Sequence, residues 1–186
     1  AGPRGALRTQ LGDERRSLRP RVEESAAPVL AGKRGWGVRL WAQGVGFLLR
    51  RDPVRLGVVT EEIIRSFAAY ARASNLTIDY VAPVDLPAII GDTDKIRMVV
   101  QNLVDNAIRY SFGGGRVIVT IARKDNFLEW SIRDFGVGIP QQQQRFVFQK
   151  FFRSEHAVRS ETQGSGLGLY IARSVVAALE GEMGFE

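Results

Sequence analysis

The chain has 186 residues, 45% of them apolar and 25% charged, with a formal net charge of +6 and no cysteine. This size and apolar content suit one ordinary domain with a sizeable core and room for an appendage. Lack of cysteine excludes disulfides and thiolate metal sites and fits a reducing compartment, so a cytoplasmic setting is expected. The longest apolar stretch, Trp36 to Leu49, is broken by Arg39, Gln43 and glycines, so no membrane span is expected, and no apolar h-region marks a secretory signal.

Charge is unevenly placed. Residues 1–51 hold eleven Lys/Arg against four Asp/Glu, whereas the remainder holds fifteen against sixteen, so the basic balance belongs to the leader. Eight glycines, Pro3, Pro20 and Pro28 interrupt that leader, which sustains neither a helical nor a strand period. A boundary near Asp52-Pro53 is predicted, with residues 1–52 a solvated or poorly ordered arm. Its arginines stand among Gly, Pro and Ala without a pattern of stacking aromatics, so no nucleic-acid partner is expected.

Regular patterning begins at Val54. Val54, Leu56, Val58, Val59, Ile63, Ile64, Phe67, Ala68 and Ala71 form an apolar helical stripe ending near Ser74-Asn75. Thr77 to Val81 alternates as a strand, Pro83 to Pro87 interrupts, and Ala88-Ile89-Ile90 leads into Gly91-Asp92 as a second short strand. Asp92 or Thr93 can cap a helix running from about Asp94 to Tyr110, which buries Ile96, Val99, Val100, Leu103 and Ala107. Asn102, Asp105 and Asn106 are then left on adjoining faces. Val117 to Ile121 and Phe127 to Ile132 read as antiparallel strands around Lys124-Asp125-Asn126. A last helix, Gly166 to about Leu179, carries Leu167, Ile171, Val175 and Leu179 on one stripe. The order of elements predicts an α/β (α+β) two-layer sandwich, with helices on one face of a mixed sheet.

Four segments carry chemistry. Asn102 and Asn106, four residues apart, share a helix face and can hold a metal without adding charge. Asp134-Phe135-Gly136-Val137-Gly138 joins a carboxylate to glycines that permit close approach or positive φ. Phe148, Lys150, Phe151, Phe152 and Arg153 combine aromatic anchors with cations, although the same aromatic spacing also fits simple helix packing. Gly164, Gly166 and Gly168, with Leu167 and Leu169 between them, open directly into a helix whose free N–H groups make a phosphate cradle. No Lys-Ser/Thr pair follows and no strand precedes within a βαβ unit, which sets aside the P-loop and the dinucleotide fingerprint.

In this order and spacing the four segments resemble the N, G1, F and G2 boxes of the ATP-binding domain of sensor histidine kinases, within the wider family that includes gyrase. The resemblance covers residues 54–186 and implies a Bergerat-type fold whose sheet is mostly antiparallel. Relatives continue through a further strand pair that closes the sheet, so an exposed edge is expected where this chain stops. The resemblance implies ATP and Mg2+ as ligands, with Asp134 accepting from the adenine amino group, Gly136 and Gly138 beside the base, and Asn106 on the metal. It places Tyr110 and Phe148 beside the nucleotide, Arg109, Lys150 and Arg153 as cations toward the phosphates, and residues 139–164, with Gln141 to Gln144, as a mobile lid. The alternatives at these positions are plain core packing for Tyr110 and a solvated helix-end role for Arg109.

Asn102 is informative for what it is not. In gyrase-type, chaperone and mismatch-repair ATPases the corresponding position resembles a glutamate that activates water, and an amide cannot be a general base. Transfer to a histidine on a separate dimerisation domain, with a response regulator downstream, is therefore expected over hydrolysis. The alternatives are a nucleotide-binding interaction module without transfer and, behind it, a hydrolysing ATPase. No phosphoacceptor is identifiable: Leu7 to Leu11 matches the kinase histidine box only faintly, with Gly5 where the histidine should stand, and His156 reads as a solvated lid side chain.

Overall fold

A computed structural model of the chain describes residues 4–10, 36–40, 49–160 and 164–185. The elements, in chain order, are strands β1 (Arg4–Gln10), β2 (Trp36–Leu40) and β3 (Asp52–Val54), helix α1 (Leu56–Ala73), strands β4 (Thr77–Val81) and β5 (Ile89–Gly91), and helix α2 (Thr93–Tyr110). Strands β6 (Arg116–Lys124) and β7 (Phe127–Arg133) follow, then a 3-10 turn over Gln141–Phe146, helices α3 (Glu155–Ser160) and α4 (Gly168–Ala178), and strand β8 (Gly181–Phe185). The strand order is β2-β8-β1-β7-β6-β4, with a small separate pair β3-β5. Pairing is antiparallel except for β4 with β6 and a short parallel stretch of β1 with β2, so the sheet is mixed as expected.

Alternation decides which face is covered. Val117, Val119 and Ile121 of β6 and Leu128, Trp130 and Ile132 of β7 are buried, whereas the residues between them are only half-buried. Helices α1, α2 and α4 cover the first face, with α2 in contact with both of the others. One polar pair lies inside this layer: the Trp130 indole N–H donates to Thr60 Oγ1 at 3.1 Å, tying the sheet to α1 without leaving a buried donor unmade.

Helix α2 follows its sequence pattern closely. Ile96, Val99, Val100, Leu103 and Ala107 are buried, and Asp92 caps the start by accepting from the N–H groups of Asp94 and Lys95. Two expectations are corrected. Val54 belongs not to the helix but to β3, paired with Ile89 of β5, and α1 begins two residues later; Val58 lies 44% exposed on its outer face. On α4 the buried stripe is Ala172, Val175, Val176 and Leu179, an i, i+3, i+4, i+7 face that leaves Ile171 turned toward solvent. Within the segment expected to form a lid, Gln141–Phe146 is a 3-10 turn, with the Gln144 side-chain amide donating to the Ile139 carbonyl.

β1 pairs antiparallel with β7 from Arg4↔Arg133 to Gln10↔Phe127, and β2 pairs with β8. The Leu7 to Gln10 segment is thus strand, not the start of a helical hairpin. β8, where an exposed edge was expected, lies instead between β2 and β1, and the outermost strands of the sheet are β2 and β4. No helix among the described residues is long and apolar enough to cross a membrane.

Candidate functional site

The middle of α2 forms one wall of a cavity of about 290 Å³. This lies at the lower end of the range for small-molecule sites. Asn102 and Asn106, one turn apart, face it together with Asp105, Arg109 and Tyr110. Arg109 Nη2 donates to Asp105 Oδ2 at 2.9 Å, the (i, i+4) pair that fixes the guanidinium along the cavity wall.

The opposite wall is built at the end of β7. Asp134 follows the last strand residue and is 5% exposed, and the Gly136 N–H donates to its Oδ1 at 3.0 Å, holding the carboxylate in a tight turn. Burial pushes its carboxyl up to about 6 against the pull of that N–H bond. Gly136 was expected to make room for a base. Instead, a Cβ there would stand 1.7 Å from the Tyr110 carbonyl oxygen, so the missing side chain lets the turn press onto the end of α2. The Val137 N–H then donates to the same carbonyl at 3.1 Å. Gly138 takes the positive φ its residue type permits, 64°, and lines the cavity with Ile139.

The remaining walls come from the F-type segment and the glycine turn. Val147, Phe152, Arg153, Ser154 and Ala157 close one side, and Gly164, Gly166, Gly168 and Leu169 the other. Gly166 has φ 68°, and a Cβ there would meet the Phe151 carbonyl carbon at 2.6 Å, so this turn and the aromatic segment are in backbone contact. Leu167 does not line the cavity; it is the N-cap of α4 and offers no side-chain cap, which leaves first-turn N–H groups of that helix without an intrahelical partner. Gly168 sits against Asn102, whose Oδ1 is 3.2 Å from the position of an added Cβ.

Two expected residues are brought elsewhere. Lys150 Nζ lies over the Tyr170 ring at 4.9 Å, and Phe148 packs against Phe185 with Arg173 over its ring at 4.6 Å, so both fasten the segment to α4 and β8. Arg153 does reach the cavity and donates to the Ala157 carbonyl at 3.1 Å. His156 lies on α3 with its side chain outside the described residues. Asp105, Ser154 and Ala157 line the cavity although no motif named them as ligand residues; only the (i, i+4) spacing of Asp105 and Arg109 could have drawn attention to the first.

The donor set speaks to the metal question. No group of three or more His, Cys, Asp or Glu side chains that could hold a metal occurs among the described residues. Neutral amide oxygens beside the uncapped start of α4 fit a hard cation that takes most of its charge partners from a polyphosphate.

The family described as Histidine kinase-, DNA gyrase B-, and HSP90-like ATPase matches residues 91–186. The adaptive-response sensory kinase SasA of Synechocystis sp. is 34% identical over 138 residues, 74% of this chain and 36% of that protein. SasA of Synechococcus sp. strain JA-3-3Ab is 29% identical over 182 residues, 97% of this chain and 46% of that protein. The chain thus spans less than half the length of these relatives. Among solved structures, the mycobacterial sensor histidine kinase MprB aligns with a TM-score of 0.57 at 30% identity over 73% of this chain and 94% of that one. Full-length ShkA in complex with AMPPNP aligns at 0.60 with 22% identity over 77% and 31% of the two chains, a likeness of fold.

Proposed function

We propose that this chain, which belongs to the histidine kinase-, DNA gyrase B- and HSP90-like ATPase family, is the ATP-binding catalytic part of a sensor histidine kinase acting in the cytoplasm. The observation that carries the proposal is convergence: the amide face of α2, buried Asp134 and the uncapped glycine start of α4 surround one cavity. In this reading Asp134 accepts from the adenine amino group, and Tyr110 and Ile139 contact the nucleoside. The N–H groups at Gly164, Gly166 and Gly168 meet the phosphates. Asn106, seconded by Asn102, would hold Mg2+, which when bound offsets polyphosphate charge.

Arg109 and Arg153 supply cations toward the γ-phosphate. Lys150 joins them once the lid turns it away from Tyr170. A histidine imidazole nitrogen on a separate dimerisation domain forms the bond to the γ-phosphorus as the bond to the bridging oxygen breaks and ADP leaves. Asn102 favours this over hydrolysis because its amide cannot take a proton from water. The phosphoryl group then passes to a response regulator.

Calorimetric titration with an ATP analogue, with and without Mg2+, tests the pocket. Wild type binds in a magnesium-dependent manner, and Asp134→Asn and Asn106→Ala each lose at least tenfold in affinity, about the weight of one buried charged or metal contact. Labelled γ-phosphate should appear on a histidine-bearing dimerisation domain and not as free phosphate. A folded wild type that binds no analogue would remove the proposal.

A further inference from the structure

A second groove opens on the other side of the Asp134 turn. Arg72 and Asn75 from the end of α1, Thr77 at the start of β4, Arg116 at the start of β6, and Phe135 line it. Phe135 points away from the nucleotide cavity and is 36% exposed. Two guanidinium groups lie over its ring, Arg133 at 4.5 Å and Arg116 at 5.7 Å from the centroid.

From these residues we infer a docking site for an acidic segment of a protein partner. Charge is the first argument. The chain beyond residue 51 is otherwise nearly balanced, yet this corner gathers three arginines; Asp79 lies 3.9 Å from Arg116, with both side chains about half exposed. A guanidinium laid on an aromatic face keeps its N–H edge outward, in the geometry that takes a carboxylate in two parallel bonds.

Shape is the second argument. The groove floor is two turns laced together: the Gly114 N–H donates to the Asn75 carbonyl at 2.7 Å and the Thr77 N–H to the Gly115 carbonyl at 3.2 Å. Asn75 and Gly114 both hold positive φ, 55° and 82°, so the turns are fixed before anything binds, which lowers the ordering cost of association. The groove lies open along the surface with a volume of about 920 Å³, more than a small anion fills. Its aromatic ring is already covered by arginine, which disfavours the base stacking a single-stranded nucleic acid would use.

The test uses the whole chain and a fluorescent peptide in which Glu alternates with Leu and Trp, alongside its Gln-for-Glu counterpart and a thymidine oligonucleotide. The acidic peptide should bind wild type at least tenfold more tightly than the Gln peptide, with an affinity that falls as salt rises. Arg72→Gln/Arg116→Gln should weaken it by tenfold or more while leaving the melting temperature and nucleotide affinity unchanged, since both side chains are exposed and lie outside the nucleotide cavity. Phe135→Ala should weaken it independently. Equal binding of the two peptides, peptide binding indifferent to the arginine substitutions, or an oligonucleotide that binds more tightly and displaces the peptide would each overturn the inference.

Discussion

Asp134 carries opposing demands. Its burial raises the carboxyl to about 6, so at neutral pH the ionised form is present at a cost to folding, and that ionised form is the one that accepts from an adenine amino group. A carboxyl raised in the folded state contributes least instability below its unfolded value near 4 and its full penalty above about 6. Asp134→Asn, keeping an acceptor for the Gly136 N–H, should therefore raise the ligand-free melting temperature at pH 7.5, by the equivalent of roughly 2 kcal/mol, with the gain shrinking toward pH 4. Nucleotide affinity of wild type should fall about tenfold per pH unit below 6 by calorimetry, whereas the Asn variant is weak at every pH. Gly136 makes the other residue-scale case. Gly136→Ala places a Cβ into the Tyr110 carbonyl and should cost on the order of 3 kcal/mol in urea unfolding, while Gly113→Ala, where a Cβ would meet only ordinary contact at 3.5 Å, should stay within about 1 kcal/mol.

At the scale of elements, α2 is held at both ends. At its start Asp92 also accepts from the Arg50 N–H at 3.1 Å, and although burial alone would raise its carboxyl, the N–H groups of Lys95, Arg50 and Asp94 bring it below the ordinary value. Stability from such a group is present above its unfolded value and lost as pH falls through the folded one. Asp92→Ala should thus cost about 2 kcal/mol in urea unfolding at pH 7, and less at pH 3, as a lost cap and an opened junction to Arg50. The helix itself was legible because its apolar spacing is strict and its cap chemistry local. On α4, by contrast, two apolar stripes compete in the sequence, and the one that is buried runs through Ala172 and Val176 and leaves Ile171 outward. For the candidate site, residue type and order singled out Asn106, Asp134 and Gly166, and all three line the cavity. The placement of Lys150 and Phe148 on α4 and β8 depends on Tyr170 and Phe185, partners about twenty and thirty-seven residues distant in a fold the local pattern does not encode.

At the scale of the molecule, β1 and β2 were illegible for a related reason. Glycine and proline punctuation makes the leader look structureless, yet a strand can be imposed by a neighbour whose edge is unpaired, and β7 offers seven consecutive partners. A chain beginning at Leu49 should therefore unfold less cooperatively than the full chain and self-associate through the bared β7 edge, a difference that light scattering and calorimetry together would register. The β1–β7 pairing also orders events in time. On a ribosome β1 emerges long before residue 133, and β2 waits longer still for Gly181–Phe185, so the sheet cannot finish until β8 has been made. Until then β1 and β2 lack β7 and β8, and unpaired strand edges of this kind are what chaperones cover during translation.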